Sequence, residues 1–158
     1  MDKTLLEYLD KNKIAYIIHK HPAIFTVAEH KKLMKENPNY MHTKNLFLKD
    51  TNNDFYLVSM FAEKRLDMKK LASFFDVKKL TFGSAEELKK YLNITPGSVS
   101  IFCMIYANLV RLIIDEQVWK AKKVGFHPND NKATLELTHE NLKKFYNSLK
   151  AEKIILDL

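Results

Sequence analysis

The spacing of apolar and polar residues along the chain changes repeatedly between a helical and a strand period. Three leucines on one helical face follow Asp2, which can cap a helix over residues 2–12. Thr26 with Glu29, and Ser84 with Glu87, have the capping-box spacing, in which a hydroxyl and a carboxylate each bind a free backbone N–H. Further helices are predicted from Asp67, around Val118 and Trp119, and from Thr138.

Short apolar runs between turn-forming residues predict the strands. The segments 45–49 and 55–61 flank a run of Asp, Thr and Asn residues that favour a turn, so they predict a hairpin. Other strands are predicted at 15–19, 79–82, 99–105, 110–114, 124–126, 133–137 and 154–156. Strands and helices are intermixed without regular alternation. We therefore expect one α/β domain over residues 1–158, mixed and α+β-like, whose partly barrel-like β-sheet is surrounded by helices.

Composition excludes several classes of protein. The 158 residues are 46% hydrophobic and 28% charged, which is typical of a globular domain. The only glycines, Gly83, Gly97 and Gly125, lie too far apart to form a dinucleotide-binding or Walker loop. A single cysteine, Cys103, cannot form an internal disulfide, and the amino terminus lacks an export signal. No apolar run approaches the roughly 20 residues of a membrane helix, so we expect a cytoplasmic protein without a membrane partner.

The basic balance of the chain leaves two interpretations open. Lys and Arg number 26 against 19 Asp and Glu, which gives a formal net charge of +7. Six pairs of adjacent lysines suit a polyanionic partner such as RNA. Most of them also fall where polar faces of helices are expected, and a solvated face is the commoner meaning of such pairs.

The familiar catalytic motifs are absent from the sequence. Position 143 is lysine, so His139 lacks the second histidine of a zinc-protease helix, and we expect no metal site and no cofactor. The segment 97–101 lacks the second glycine of a serine nucleophile elbow. Cys103 lies in an apolar run, where a cysteine usually acts as a small hydrophobic residue.

Two polar segments remain as candidates for chemistry. Lys44 and Asn45 precede an apolar strand, and from its start they could converge on a cleft and bind a phosphate or carbonyl oxygen. The alternative is a solvated lysine at a strand entry. His127, between Phe126 and Pro128, could orient a polar substrate or could simply hold its own loop together.

Four segments occur in the order and spacing of one family: 42–50 (HTKNLFLKD), 64–67 (KRLD), 96–100 (PGSVS) and 124–129 (VGFHPN). With them the chain resembles the YbaK/prolyl-tRNA-synthetase-associated domain family, and it is most similar to the free-standing alanyl-tRNA(Pro) deacylase branch. The resemblance implies an editing enzyme that hydrolyses the ester between a wrong amino acid and the acceptor end of tRNA. Mischarged tRNA is then the expected partner, with prolyl-tRNA synthetase as a second candidate.

The resemblance also assigns site residues. Lys44 matches the family's essential pocket lysine, Asn45 and His127 match positions that shape the amino-acid site, and Gly97 and Ser98 match the loop that faces the scissile ester. Family members use water or the ribose hydroxyl as the nucleophile. Two apolar residues, Ile24 and Phe25, are candidate walls of a pocket too tight for proline, and filling the core is the alternative role for each.

One departure from the family pattern concerns the glycine loop. Ile101 stands where the family usually has proline, and Cys103 replaces a glycine common in the related branch. Both changes alter the freedom of the backbone beside the ester. They motivate a second hypothesis, a non-catalytic tRNA-binding or synthetase-associated module of the same fold.

Overall fold

An eight-stranded mixed sheet forms the centre of the computed structural model, which describes residues 1–158. The strands are β1 (Ile17–Lys20), β2 (Met41–Asp50), β3 (Phe55–Phe61), β4 (Leu80–Phe82), β5 (Val110–Asp115), β6 (Lys123–Phe126), β7 (Ala133–Thr138) and β8 (Lys153–Leu156). The helices are α1 (Lys3–Lys11), α2 (Val27–Glu36), α3 (Met68–Phe74), α4 (Ala85–Leu92), α5 (Glu116–Lys120) and α6 (His139–Ser148), together with the 3₁₀ helix Ile101–Tyr106.

The strand order is β1-β7-β6-β2-β3-β5-β8, and β4 pairs separately with β2. The β2–β6, β3–β5 and β5–β8 pairs are parallel, whereas the other pairs are antiparallel. The sheet is open, with β1 and β8 at its edges, rather than a closed barrel. The expected mixed sheet with packed helices is confirmed.

Alternation along the central strands divides the core between two faces of the sheet. On β2, Phe47 belongs to a cluster of 24 buried residues, whereas its neighbour Leu48 belongs to a cluster of 8. Successive side chains of a strand point to opposite faces, so the two clusters lie on opposite sides. Helix α3 contributes Leu71 and Ala72 to the smaller cluster, while α1, α4, α5 and α6 pack on the larger one.

Helix starts follow the capping signals in the sequence. Asp2 accepts a hydrogen bond from the Leu5 N–H, and Ser84 with Glu87 forms the complete capping box. At α2 only half of the box forms: Thr26 accepts from the Glu29 N–H, but the Glu29 carboxylate accepts from the Phe25 N–H instead.

The strand predicted at 99–105 is wrong, because this segment forms the 3₁₀ helix Ile101–Tyr106. Its first four residues are all buried, so the run shows neither strand alternation nor a helical period. The Ser100 hydroxyl accepts a hydrogen bond from the Phe102 N–H and starts the helix.

Strand β2 begins earlier than the hydrophobic pattern predicts. It starts at Met41, so Lys44 and Asn45 lie within the strand rather than at its entry. The early part is polar, yet His42 and Thr43 are buried by tertiary contacts that the local pattern does not show.

No helix in the structure combines the length and the apolar character needed to cross a bilayer.

Candidate active site

A gap in the sheet interrupts one edge of β2. Strand β3 pairs with β2 from Thr43 to Lys49 along the other edge. On the interrupted edge, β6 pairs only with Met41 and His42, and β4 pairs only with residues 48–50. Residues 44–46 therefore have no strand neighbour on that side.

Backbone hydrogen bonds show which groups face the gap. The His42 carbonyl accepts from Ala62 N–H on the β3 side, whereas the Phe47 carbonyl accepts from Gly83 N–H on the β4 side. Because these directions alternate along a strand, the N–H and C=O of Asn45 point into the gap. The side-chain Oδ1 of Asn45 is buried and forms no hydrogen bond. Such orphaned groups are rare in folded proteins, which makes Asn45 a candidate for binding a ligand.

Lys44 is a half-buried cation without a partner. Its ammonium forms neither a hydrogen bond nor an ion pair, and burial lowers the pKa of the amine below its ordinary value. Lys44 shares a face of the sheet with Leu46 and Leu48. On that face it lines a cavity of about 750 Å³, together with Leu46, Arg65, Leu66, Asp67, Met68, Lys69 and Phe82.

His127 follows the end of β6. Parallel pairing of β2 with β6 ends at His42 opposite Gly125, and an extension of that register by two residues would set His127 opposite Lys44 on the same face. The His127 Nδ1 lies 3.0 Å from the Ala133 carbonyl oxygen. A carbonyl only accepts, so Nδ1 carries the proton and Nε2 is left as an acceptor.

Burial lowers the pKa of His127, and repulsion from His21 and His42 adds to this effect, against the Ala133 carbonyl that opposes it. The ring is therefore neutral at neutral pH. The His21 ring lies 5.9 Å from His127, and the His30 ring of α2 lies 5.9 Å from His42. Burial also lowers the pKa of both His30 and His42. No group of His, Cys, Asp or Glu side chains has the arrangement needed to hold a metal ion.

The two candidate wall residues lie in different surroundings. Ile24 lines a cavity of about 250 Å³ beneath α2, together with His21 and Leu33. The Phe25 side chain is 80% exposed just before α2. Ile24 thus lines the same cavity as His21, whose ring lies next to that of His127, whereas the Phe25 ring faces solvent.

Gly97 and Ser98 lie in a turn between α4 and the 3₁₀ helix. Gly97 follows Pro96 and has φ +91°, a conformation that glycine adopts without strain, and its α-carbon faces open space. The Ser98 N–H donates to the Thr95 carbonyl. Neither residue forms a hydrogen bond with Lys44, Asn45 or His127. Lys44 and Asn45 border the gap with their side chains on opposite faces of the sheet, and His127 follows the end of β6.

The structure accommodates the two departures from the family pattern. Ile101 is the first residue of the 3₁₀ helix, a position that proline also suits, and its side chain is buried in the core. The Cys103 thiol donates to Asn129 Oδ1 at 3.1 Å, which ties the 3₁₀ helix to the loop after His127. Burial raises the pKa of Cys103 to about 12, so the thiol stays protonated and is a poor nucleophile.

The sequence did not point to Arg65, Lys69 and Phe82, which line the same cavity as Lys44. Arg65 belongs to the family segment 64–67. The adjacent Lys64 forms a salt bridge with the buried Asp115 at 2.9 Å and so stabilises the fold. Phe82 reaches the Lys44 face because it pairs with Leu48 in the register of β4 with β2. Only this pairing, which no local pattern specifies, could have revealed it.

The chain is similar to a known protein family and to individual known proteins. The sequence profile of the aminoacyl-tRNA editing domain family matches residues 21–145. The chain is 35% identical over 145 residues to the prolyl-tRNA editing protein ProX of Acetoanaerobium sticklandii, covering 90% of this chain and 88% of that protein. It is 30% identical over 168 residues to the prolyl-tRNA synthetase associated domain-containing protein 1 of Xenopus laevis, covering 96% and 94% of the two chains.

Solved structures share the fold at low sequence identity. The crystal structure of the hypothetical protein APE2540 superposes with a TM-score of 0.75 at 19% identity, covering 96% of this chain and 97% of that one. A candidate trans-editing enzyme for prolyl-tRNA synthetase superposes with a TM-score of 0.73 at 16% identity, covering 100% and 99%.

Proposed function

The chain belongs to the aminoacyl-tRNA editing domain family and is an aminoacyl-tRNA deacylase, and we propose that it removes alanine from tRNA(Pro), with Lys44 anchoring the substrate. The observation that carries this proposal is the half-buried, unpaired ammonium of Lys44 beside a gap in the sheet. An unpaired buried charge costs stability, which is understandable where a ligand supplies the opposite charge.

Lys44 acts as a cation in this proposal. It donates to the ester carbonyl or to the terminal phosphate and stabilises the negative charge that develops as the carbonyl is attacked. Burial lowers the pKa of the amine, but no neighbouring cation adds to this effect. A general-base role would need a pKa close to neutrality, far below the ordinary value of about 10.4, so the anchor role is the better match.

Asn45 and His127 position the amino acid in this proposal. The Nε2 of His127 and the Asn45 carbonyl that points into the gap are both acceptors, which suits the α-ammonium of an aminoacyl ester. The buried Oδ1 of Asn45 lies on the opposite face of the sheet from Lys44. Water, activated directly or by the neighbouring ribose hydroxyl, attacks the carbonyl carbon. The ester C–O bond breaks, the released ribose oxygen takes up the proton that the water gives up, and the free amino acid leaves. Aminoacyl esters are activated, so positioning and fixed donors suffice.

Alanine is the preferred amino acid on steric grounds. A synthetase pocket made for proline discriminates against a residue smaller by a methylene or two by only about 1–3 kcal/mol each, so a second site must remove the errors. Ile24, Gly97 and Ser98 are the proposed boundary of a pocket that excludes proline, whereas the exposed ring of Phe25 is not part of it. Cysteine and serine are small enough to be further substrates.

The proposed partner is the acceptor end of mischarged tRNA, and the formal net charge of +7 favours binding to its phosphates. The ProX relative is a prolyl-tRNA editing protein, and the Xenopus relative takes its name from association with prolyl-tRNA synthetase. We extend both relationships to this chain, which assigns it to the cytoplasm where tRNA is charged.

Hydrolysis of purified Ala-tRNA(Pro), Cys-tRNA(Pro), Ser-tRNA(Pro) and Pro-tRNA(Pro), each corrected for spontaneous hydrolysis, tests the proposal. We expect the fastest turnover with alanine and none above background with proline. Rapid hydrolysis of the proline ester would contradict the steric argument. Binding of tRNA without hydrolysis of any ester would favour the non-catalytic module instead.

A further inference from the structure

Basic side chains without acidic partners surround the cavity that contains Lys44. Arg65 and Lys69 line it, both are exposed, and neither forms an ion pair. The one acidic residue of the lining, Asp67, uses its carboxylate to accept the Lys70 N–H at 3.0 Å. With Lys44, the lining carries three cations against this one carboxylate, so its net charge is positive.

An exposed aromatic ring completes this surface. Phe82 lines the same cavity and is 62% exposed, although a phenylalanine gains free energy by burial. It pairs with Leu48 and so lies on the same face of the sheet as Lys44. Four residues of strand separate the two positions, a distance of about 13 Å at about 3.3 Å per residue.

We propose that Arg65, Lys69 and Phe82 bind the single-stranded 3′ end of tRNA, with a nucleobase stacked on Phe82 and phosphates bound by Arg65 and Lys69. Cations interleaved with an exposed aromatic ring are the combination by which proteins bind single-stranded nucleic acid. A purely apolar partner would leave three cations unpaired. The inference rests on the proposed function, because the ester that binds at Lys44 is attached to the 3′ end of the same tRNA.

Binding of uncharged, fluorescently labelled tRNA(Pro) tests this surface, with a matched probe that lacks the 3′ CCA. Phe82→Ala is expected to weaken binding of the complete tRNA by about tenfold, from the loss of one stacked base. The same variant should bind the truncated probe as tightly as wild type does. Phe82→Leu keeps an apolar side chain and should behave like Phe82→Ala.

Arg65→Ala and Lys69→Ala are expected to weaken binding and to reduce the slope of log K against log salt by about 0.7 for each phosphate that the variant no longer binds. Two matched controls lie on α3 outside the cavity. Phe74 is 56% exposed, and Lys70 is exposed and directed to the Asp157 carbonyl. Phe74→Ala and Lys70→Ala should bind both probes as wild type does.

The inference would be overturned if removal of the CCA weakened tRNA binding by the Phe82→Ala variant as much as it weakens binding by wild type. It would also be overturned if the Phe74→Ala control lost as much affinity for the complete tRNA as Phe82→Ala does. Thermal unfolding of each variant shows whether it is folded. The probes carry no amino acid, so this result is independent of turnover. Failure of the deacylase assay with CCA-dependent binding intact would contradict the proposed function alone.

Discussion

The middle and the far end of strand β2 differ in how their polar groups are paired. At the far end, strands flank β2 on both sides, and the buried Asp50 carboxylate accepts hydrogen bonds from the Asn52 and Asp54 amides and the Tyr56 hydroxyl. At residues 44–46 one neighbouring strand is missing, and the Lys44 ammonium and the Asn45 Oδ1 have no partner.

The difference separates polar groups that stabilise the fold from polar groups that the fold leaves without a partner. A carboxylate with three donors offsets its cost of burial through charge-assisted hydrogen bonds. The half-buried Lys44 ammonium has no acceptor, so no such hydrogen bond offsets the cost of its burial. The polar residues of one strand thus fall into two groups: those whose hydrogen bonds are formed within the protein, and those whose polar atoms have no partner.

The largest expected effect follows from removing the unpaired cation. Lys44→Ala should reduce deacylation of Ala-tRNA(Pro) by about 100- to 1,000-fold, since one donor to the developing charge is removed. Its free energy of unfolding should stay within about 0.5 kcal/mol of wild type, because the ammonium has no partner to lose. Steady-state kinetics and denaturant unfolding measure the two quantities.

Lys49→Ala is the matched control for Lys44, because Lys49 lies on the same strand but pairs with Glu87 at 2.9 Å. It should retain activity. A Lys44→Ala enzyme with wild-type turnover would refute the anchor role, and a large loss of stability would show that the ammonium serves the fold.

The second prediction concerns the saturated end of the strand. Asp50→Ala should lower the free energy of unfolding by about 3 kcal/mol, because the buried Tyr56 hydroxyl loses a charged acceptor and two turn amides lose theirs. Asp54→Asn is the control, since the Asp54 side chain is exposed and forms no hydrogen bond. Denaturant unfolding of both variants measures the difference, and equal stabilities would refute the assignment.

The same carboxylate gives this end of the strand a pH dependence. Burial raises the pKa of Asp50, but the hydrogen bonds from Tyr56, Asp54 and Asn52 outweigh it and hold the pKa below the ordinary value. The unfolded state thus binds the proton more tightly. The stabilisation is complete above the unfolded pKa of about 3.9 and is lost as the pH falls through the lower folded value. The Asp50→Ala variant should lack this acid-dependent loss.

The smallest effect is expected opposite Asn45, where Ser59 pairs with it in the register of β3 with β2. The buried Ser59 hydroxyl forms no hydrogen bond, so Ser59→Ala should leave the free energy of unfolding unchanged or raise it by up to about 1 kcal/mol. The buried Ser100 hydroxyl, by contrast, accepts from the Phe102 N–H at 3.1 Å. Ser100→Ala should therefore cost about 1 kcal/mol, and a similar loss in Ser59→Ala would show a partner for its hydroxyl.

Local signals predict most elements of the fold correctly. The caps at Asp2 and Ser84 and the turn at Gly97 act over a few residues, so the sequence alone specifies them. The strand prediction for the apolar run that begins at Ile101 is wrong, because a run without periodicity does not distinguish a buried strand from a buried helix. The hydrophobic pattern also misses the start of β2 at Met41, because the first residues of the strand are polar and only tertiary contacts bury them.

The sequence by itself determined the family, the single-residue candidates Lys44, Asn45 and His127, and the order of the helices and strands other than the segment that begins at Ile101. Only the tertiary structure decided that β6 and β4 leave residues 44–46 uncovered between them, and that Arg65, Lys69 and Phe82 join Lys44 around one cavity. The physical reason is that caps and turns depend on neighbours in the chain. Strand pairing and register join residues far apart in sequence, and here they decide which polar groups remain free to bind a substrate.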